Sequence, residues 1–461
     1  MTNNKRVLFG TDGVRDVANL QGGNMTADFA LKLGRAFILF LKQHKNLNNI
    51  KIAVGLDTRK SGAMLEGALK AGMLSAGADV CSLGVIPTPG VSFAVKHLKA
   101  DAGAVISASH NPAEYNGIKF LDANGCKLSD QDELEIEQIY FNLNNYNLNL
   151  NLTGDLVGRD YFMPELAKDY AAHLAKILNN NLNLKFKIAF DCANGAASAV
   201  IPELVKLTNI NHAITGASPD GLNINKNSGV MSMSNLINFI NKTKAEIGFA
   251  FDGDADRVLI ADANGRIIDG DIILWTLAKW LKAKNLLKNG LVVTVMSNMA
   301  IEEHLQHEDI KVFRCPVGDR YVLDTMRKNN AGLGGEQSGH IIADAFTSTG
   351  DGACTAMLFL NALHDLNLDI NNLTENFGRY PQKLSNLKLS SRELLNNNLD
   401  AINKIGHDAD LEIKNLSNNQ GRVFIRPSGT EPLLRILVEA KNLQLVDEFS
   451  QKLILKLQSM C

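Results

Sequence analysis

The sequence predicts an α/β protein of layered strand and helix units, followed by a smaller α+β domain at the C-terminal end. Three patterns carry this reading. Short runs that are apolar on both faces recur and end in polar turns: Lys51–Asp57, Gly103–Ile106, Phe186–Asp191, Ile247–Asp252 and Leu291–Val295. Such runs suit strands covered by helices on both sides. Segments with an apolar stripe lie between them, as over Ala27–Gln43 and Gly62–Ala76, and strand alternating with helix argues for α/β layers. From Phe377 the pattern changes. Strand-like Arg422–Ile425 and Leu434–Val438 flank a polar turn, and an amphipathic helix is predicted over Leu445–Met460.

Polar segments follow three of the strand-like runs: Asp57-Thr58-Arg59, Asp191–Gly195 and Ser297-Asn298. They point to a repeated α/β unit, although their spacing is too irregular to establish duplication. Asparagine-rich stretches at Asn142–Leu152 and Asn179–Asn183 mark seams, because asparagine favours turns and left-handed backbone. The first boundary is placed near residue 155.

The 461 residues allow three domains of about 150 residues, with room for four small ones. Hydrophobic residues make up 45% and charged residues 21%, which suits a chain with a sizeable core and excludes global disorder. A net charge of −2 gives no support for nucleic acid or an anionic membrane as partner. The apolar stretch Val7–Phe9 is too short for a signal peptide. Ala36–Leu41 and Leu291–Met296 fall far below the ~20 residues of a membrane span. Cys81, Cys126, Cys192, Cys315, Cys354 and Cys461 form no C-x-x-C pair and read as free thiols in a reducing cytoplasm.

Asp252-Gly-Asp254-Ala-Asp256-Arg257 follows an apolar strand. Three carboxylates at alternate positions can curl around one hard cation, and oxygen-only ligands favour Mg²⁺, Mn²⁺ or Ca²⁺ over zinc. An EF-hand is excluded, because Arg257 stands where that loop needs glycine and Ala263 where it needs glutamate. A solvated acidic turn is the plain alternative, but like charges this close cost energy without a cation.

Ser107-Ala-Ser109-His110-Asn111-Pro112 follows another apolar strand and is expected to expose Ser109 at its C-terminal edge. An acyl-transfer serine is weakly supported, since the G-x-S-x-G elbow is absent. The stronger reading is a phosphoryl-carrying serine whose charge a metal offsets. Lys119, in Asn116–Phe120, is expected to hairpin back toward Ser109, where it could shuttle a proton or steady a moving phosphoryl group. His110 is open between proton shuttle and loop hydrogen bonding.

Arg426-Pro-Ser428-Gly429-Thr430-Glu-Pro432, with Arg435 beyond it, combines hydroxyls, backbone N–H groups and two arginines into an anion nest. Gly334-Gly-Glu336-Gln337-Ser338-Gly339-His340 offers a carboxylate, an amide and a hydroxyl that can read adjacent sugar hydroxyls. Gly318–Tyr321 is a further polar loop that says little alone.

Taken together, Phe9–Arg15, Asp57–Gly62, Ser107–Pro112 with Asn116–Phe120, Asp252–Arg257, Gly335–His340 and Arg426–Pro432 resemble the motifs of the α-D-phosphohexomutase superfamily, in its order. Pro219–Asn225 and Gln337 resemble the bacterial phosphoglucosamine mutase branch. The resemblance implies four domains around a central cleft, three related α/β units plus a smaller α+β C-terminal domain. It divides the chain at 1–155 (serine loop), 156–257 (metal loop), 258–376 (sugar loop) and 377–461 (phosphate loop). It implies a phosphorylated Ser109, with Asp252, Asp254, Asp256 and a phosphoserine oxygen holding one Mg²⁺. Arg15, His110, Lys119 and Arg257 would surround the transferring group. Glu336 and Ser338 would contact the sugar, and Arg426, Ser428, Gly429, Thr430 and Arg435 the distal phosphate. The implied reaction interconverts glucosamine 6-phosphate and glucosamine 1-phosphate through glucosamine 1,6-bisphosphate, in the supply of UDP-N-acetylglucosamine and peptidoglycan precursors. The implied partner is a sugar phosphate, with a homodimer left open, and with no nucleic acid or membrane. A phosphomannomutase/phosphoglucomutase, a Mg²⁺-dependent sugar phosphatase and a non-catalytic sugar-phosphate sensor are the alternatives. One departure stands out: the family usually follows its first arginine with glycine, and here Asp16 stands there.

Overall fold

The computed structural model describes residues 6–143, 152–179, 186–389, 398–427 and 433–458. They form two compact units. One comprises the described residues up to Val295 with Ile310–Leu373; the other comprises Met296–Asp309 with the described residues from Thr374. The Asn/Leu stretch expected as a seam at 142–152 lies largely outside the described residues.

The first sheet contains β1 (Val14–Val17), β2 (Lys51–Leu56), β3 (Asp79–Val85), β4 (Ala102–Ile106), β5 (Tyr115–Leu121) and β6 (Asp160–Phe162), in the order β1-β5-β4-β2-β3-β6. Helices α1 (Ala27–His44), α2 (Gly62–Ser75), α3 (Thr88–His97) and α4 (Asp130–Phe141) lie between its strands in sequence. After α5 (Leu166–Ala175) comes the second sheet: β7 (Ile188–Asp191), β8 (His212–Thr215), β9 (Ile247–Phe251), β10 (Val258–Asp262) and β11 (Ile267–Ile268), in the order β11-β10-β9-β7-β8, with α6 (Ile201–Thr208) and α7 (Met233–Thr243). The third follows α8 (Gly270–Ala283). It holds β12 (Leu291–Thr294), β13 (Val312–Cys315), β14 (Leu333–Gly335) and β15 (Ile341–Ala343), in the order β13-β12-β14-β15. Helices α9 (Ala300–Gln306), α10 (Asp319–Asn329), α11 (Gly352–Asp365) and α12 (Ile370–Phe377) complete this stretch of chain, α9 counting with the second unit.

One four-strand pattern recurs in all three sheets. β2, β7 and β12 each lie between two parallel neighbours. In each case the second neighbour turns back antiparallel, β4 into β5, β9 into β10 and β14 into β15. Parallel neighbours need long crossovers, which the helices supply, whereas the antiparallel step needs only a turn. The three turns carry the Ser109 loop, the three-aspartate loop and the Glu336–His340 loop. β4 and β9 are buried along their whole length, as runs apolar on both faces require.

Two sheet edges differ from the boundaries expected at 155 and 257. β6 adds to the free edge of β3, so the first sheet extends to Phe162. The β9–β10 turn pairs its flanking strands, so the second sheet extends to Ile268. Both are pairing facts that composition does not encode.

The second unit has an antiparallel sheet of β16 (Gln382–Lys388), β17 (Gly421–Pro427) and β18 (Leu433–Ala440), in the order β16-β18-β17, with α13 (Leu399–Leu416) and α14 (Leu443–Gln458). α14 buries Val446, Phe449, Leu453 and Leu457, a helical stripe that packs on this sheet's core. No described helix is long and apolar enough to cross a membrane.

In the first domain α1 and α2 touch backbone to backbone. A Cβ on Gly34 would collide with the Leu69 carbonyl, and one on Gly72 with the Leu31 carbonyl. Gly67, on the exposed face of the same α2, has nothing within 4 Å of such a Cβ. Gly72→Val is therefore expected to destabilise by ~2 kcal/mol or more through overpacking. Gly67→Ala should stabilise by up to ~1 kcal/mol through helix propensity. Urea unfolding of the two variants checks the opposite signs.

Candidate active site

The site is assembled from the three equivalent turns of the first unit. Asp252, Asp254 and Asp256 are all buried, and one carboxylate oxygen from each lies within 4.8 Å of the others. Ser109, expected to be exposed, is 1% exposed instead. The three-aspartate loop covers it so closely that a Cβ on Gly253 would strike the Ser109 carbonyl. Its hydroxyl donates to Asp252 Oδ2 at 2.7 Å. The Ser109 backbone is left-handed, with φ +50°, an uncommon state for a residue with a side chain and one that clusters at functional sites.

The expected hairpin places Lys119 beside the carboxylates, because β5 pairs antiparallel with β4 and puts Lys119 opposite Val105. Its Nζ donates to Asp254 Oδ2 at 2.7 Å and lies 3.5 Å from Asp12 Oδ2 and 3.9 Å from Asp256 Oδ2. Burial opposes its charge, but Asp12, Asp254 and Asp256 outweigh burial and raise its pKa, so it stays an ammonium. Thr88, the first residue of α3, donates to Asp254 Oδ2 at 2.5 Å and through its N–H to the Asp254 carbonyl at 3.0 Å.

Arg15 pairs with Asp12 and donates to the Ala108 carbonyl at 3.3 Å, which ties β1 to the serine loop. The Asp16 carboxylate accepts from the N–H groups of Val17 and Asn24, each at 2.8 Å. It therefore braces its own turn. Arg257 lies 3.9 Å from Asp256, and among the described residues neither of the buried Arg15 Nε and Arg257 Nε has an acceptor. His110 Nδ1 is 3.3 Å from Ser109 Oγ. Burial, then the charges of Arg257 and Arg15, push its pKa down to about 4, so it is neutral at pH 7.

Burial and the neighbouring Asp256 and Asp254 charges push Asp252 well above the usual carboxylate range. Burial pushes Asp256 the same way, but the His340 hydrogen bond and charge, with Lys119 and Arg257, hold it well below that range. His340 Nδ1 sits 3.5 Å from Asp256 Oδ2. Among the described residues no hydrogen-bond donor reaches the buried Asp254 Oδ1 or Asp256 Oδ1. Three inward carboxylates, two with an unpartnered oxygen, fit a hard divalent cation.

The Glu336–His340 loop joins the same unit. His340 bridges Arg257 through the backbone, and Glu336 accepts from the Gly318 N–H at 2.9 Å and from Ser338 Oγ at 3.3 Å. In the second unit, Arg426 and Arg435 are directly opposed on β17 and β18. Ser428, Gly429 and Thr430 lie outside the described residues.

Family comparison covers nearly the whole chain. Residues 6–147, 168–265 and 269–380 match alpha/beta/alpha domains I, II and III of phosphoglucomutase/phosphomannomutase, and residues 384–456 match its C-terminal domain. The chain belongs to the phosphoglucomutase/phosphomannomutase family. It is 44% identical to a phosphoglucosamine mutase of Halalkalibacterium halodurans over 450 residues, covering 96% of this chain and 97% of that one. It is 43% identical to a phosphoglucosamine mutase of Clostridium novyi over 452 residues, covering 97% of each. Among solved structures, a phosphoglucomutase/phosphomannomutase family protein of Burkholderia thailandensis aligns with TM-score 0.80 at 23% identity, over 97% of this chain and 96% of that one. An N-acetylphosphoglucosamine mutase of Aspergillus fumigatus, solved with GlcNAc-6P and magnesium, aligns with TM-score 0.65 at 16% identity, over 99% of this chain and 96% of that one.

Within this family chain, sequence reasoning brought together Ser109, His110, Lys119, Arg15, Arg257 and the three aspartates, and the structure places all of them in one unit. It missed Asp12, which bridges Arg15, Lys119 and Lys127, though Asp12 lies inside the Phe9–Arg15 motif. It also missed Thr88, whose one signal is the helix start at Pro87-Thr88-Pro89. The carboxylate cluster generates a direct test. A divalent cation at a hundredfold over its Kd should stabilise the wild-type protein by ~2.7 kcal/mol. Asp254→Asn should lose most of that gain; thermal melts with Mg²⁺ and with chelator measure both.

Proposed function

We propose that the chain interconverts glucosamine 6-phosphate and glucosamine 1-phosphate, an isomerase reaction, with Ser109 as phosphoryl carrier. The observation that carries this reading is the Ser109 hydroxyl at 2.7 Å from Asp252, inside a buried aspartate trio. A serine used only as a turn residue needs no such company. The two phosphoglucosamine mutases, 44% and 43% identical over nearly full length, favour the amino sugar over glucose or mannose phosphates.

In the proposed reaction the bond from Ser109 Oγ to phosphorus breaks as a bond from sugar O1 to phosphorus forms, giving glucosamine 1,6-bisphosphate. The bisphosphate turns end over end, and its 6-phosphoryl group returns to Ser109. Asp252, Asp254 and Asp256, with a phosphoserine oxygen, would hold Mg²⁺, which when bound supplies positive charge to offset that on the phosphoryl oxygens. Lys119, Arg15 and Arg257 add fixed positive charge where the transferring group spreads its own. His110, neutral at pH 7 and 3.3 Å from Ser109 Oγ, would take the proton released by the attacking sugar hydroxyl and pass it to Ser109 Oγ as that oxygen leaves phosphorus; a phosphoryl dianion beside it raises its basicity. Glu336 and Ser338 orient the sugar hydroxyls. Arg426, Ser428, Gly429, Thr430 and Arg435 are assigned to the phosphate that does not react, and the facing arginines of β17 and β18 support that assignment.

Incubation with glucosamine 6-phosphate, Mg²⁺ and a catalytic amount of a hexose 1,6-bisphosphate should yield glucosamine 1-phosphate. Glucose and mannose phosphates should turn over more slowly. Continuous release of inorganic phosphate without isomer would identify a phosphatase instead. Ser109→Ala should lower turnover by at least ~10³-fold while sugar-phosphate binding, followed by calorimetry, persists. Near-normal turnover in that variant would remove Ser109 from the mechanism.

A further inference from the structure

We propose that Arg59 and Asn225 are positioning residues that clamp the backbone of the Ser109 loop from behind and so aim the Ser109 hydroxyl at the aspartate trio. The proposal rests on the reading of Ser109 as phosphoryl carrier, but neither clamp residue touches the reacting atoms. Both come from segments to which no role has been given: Asp57–Gly62 and Pro219–Asn225.

The side chain of Arg59 is fully buried. Its five N–H donors meet five acceptors. Nε donates to Asp57 Oδ2 at 2.9 Å. Nη1 donates to the carbonyls of Pro112 and of Tyr115, the latter at 3.0 Å. Nη2 donates to the carbonyls of Ser109 at 3.0 Å and Asn111 at 2.8 Å. A planar fork is required for this; a lysine ammonium has three donors in another geometry. Asn225, from the second domain, reaches two of the same carbonyls, with Nδ2 at 2.8 Å from Ser109 O and 3.1 Å from Asn111 O.

Asp57 completes the frame. Its Oδ2 also accepts from Ser107 Oγ at 2.6 Å, and Ser107 Oγ accepts the Ser109 N–H at 2.9 Å. Side chains therefore hold both backbone polar groups of Ser109. The residue sits at φ +50°, a conformation that persists only where surroundings over-determine it. With its carbonyl drawn back onto Arg59 and Asn225, Ser109 turns its hydroxyl forward onto Asp252. The two loops are also joined directly, because Lys60 N–H donates to the Gly221 carbonyl at 2.9 Å. The clamp thus ties the serine of one domain to the domain that supplies the carboxylates.

The test uses Arg59→Lys and Asn225→Asp in the full-length protein. Asn225→Asp preserves shape and tolerance of the left-handed backbone at φ +60°, but sets an acceptor against two carbonyls. It keeps the test informative should the buried Arg59→Lys fail to fold. We expect kcat for glucosamine 6-phosphate to fall about 100-fold with KM changed less than about twofold, because substrate contacts are untouched. Amide hydrogen exchange in 107–112 should quicken at least about tenfold while α1 is unchanged, which general destabilisation would not produce. Unchanged exchange in that loop, or a kcat within about threefold of wild type for Asn225→Asp, overturns the clamp. A wild-type protein without mutase activity overturns the functional reading instead, and the exchange measurement still decides the clamp.

Discussion

Three carboxylates cannot share a buried pocket unless something positive answers them, and that constraint organises the first unit. Lys119 answers Asp254 and lies near Asp256; Arg257 and His340 approach Asp256. Among the described residues no salt bridge reaches Asp252, and burial with the Asp256 and Asp254 charges raises its pKa. The serine hydroxyl points at this under-compensated member. A phosphoryl group added to Ser109 would worsen the repulsion unless a divalent cation entered with it, so the phosphorylated serine, the carboxylates and such a cation would form one electrostatic unit.

Topology explains how residues so far apart in sequence converge. The same antiparallel turn after the third parallel strand occurs in each of three sheets, and each copy contributes a different group, first the serine, then the three aspartates, then Glu336. Loops at the carboxyl ends of parallel strands are where α/β sheets place ligands. The ends of the central strands are put to related use. Asp57 and Asp191 close β2 and β7, and each accepts a backbone N–H two residues on and a serine hydroxyl from another loop. In the first domain that device reaches Ser109.

Much of this was legible in the sequence, and the illegible part has physical reasons. Short runs apolar on both faces revealed β2, β4, β7, β9 and β12, since burial on both faces leaves a plain pattern. The alternating aspartates revealed a cation site, since chemistry and spacing coincide within five residues. The burial of Ser109 was not visible, because the covering Gly253 comes from a different sheet. Arg59 looked like one arginine in a polar turn; its role depends on five acceptors, four of them backbone carbonyls that no side-chain pattern records. Sheet edges at β6 and β11 also escaped, because strand addition depends on a free ladder edge.

The account stands on phosphoryl transfer from Ser109 to sugar, and a single-turnover experiment tests it. Protein carrying labelled phosphate on Ser109, verified by peptide mass, is mixed with unlabelled glucosamine 6-phosphate and quenched over time. Label should leave the serine at least as fast as kcat and appear in hexose phosphates. Label that stays on the protein, or emerges only as inorganic phosphate, would contradict it.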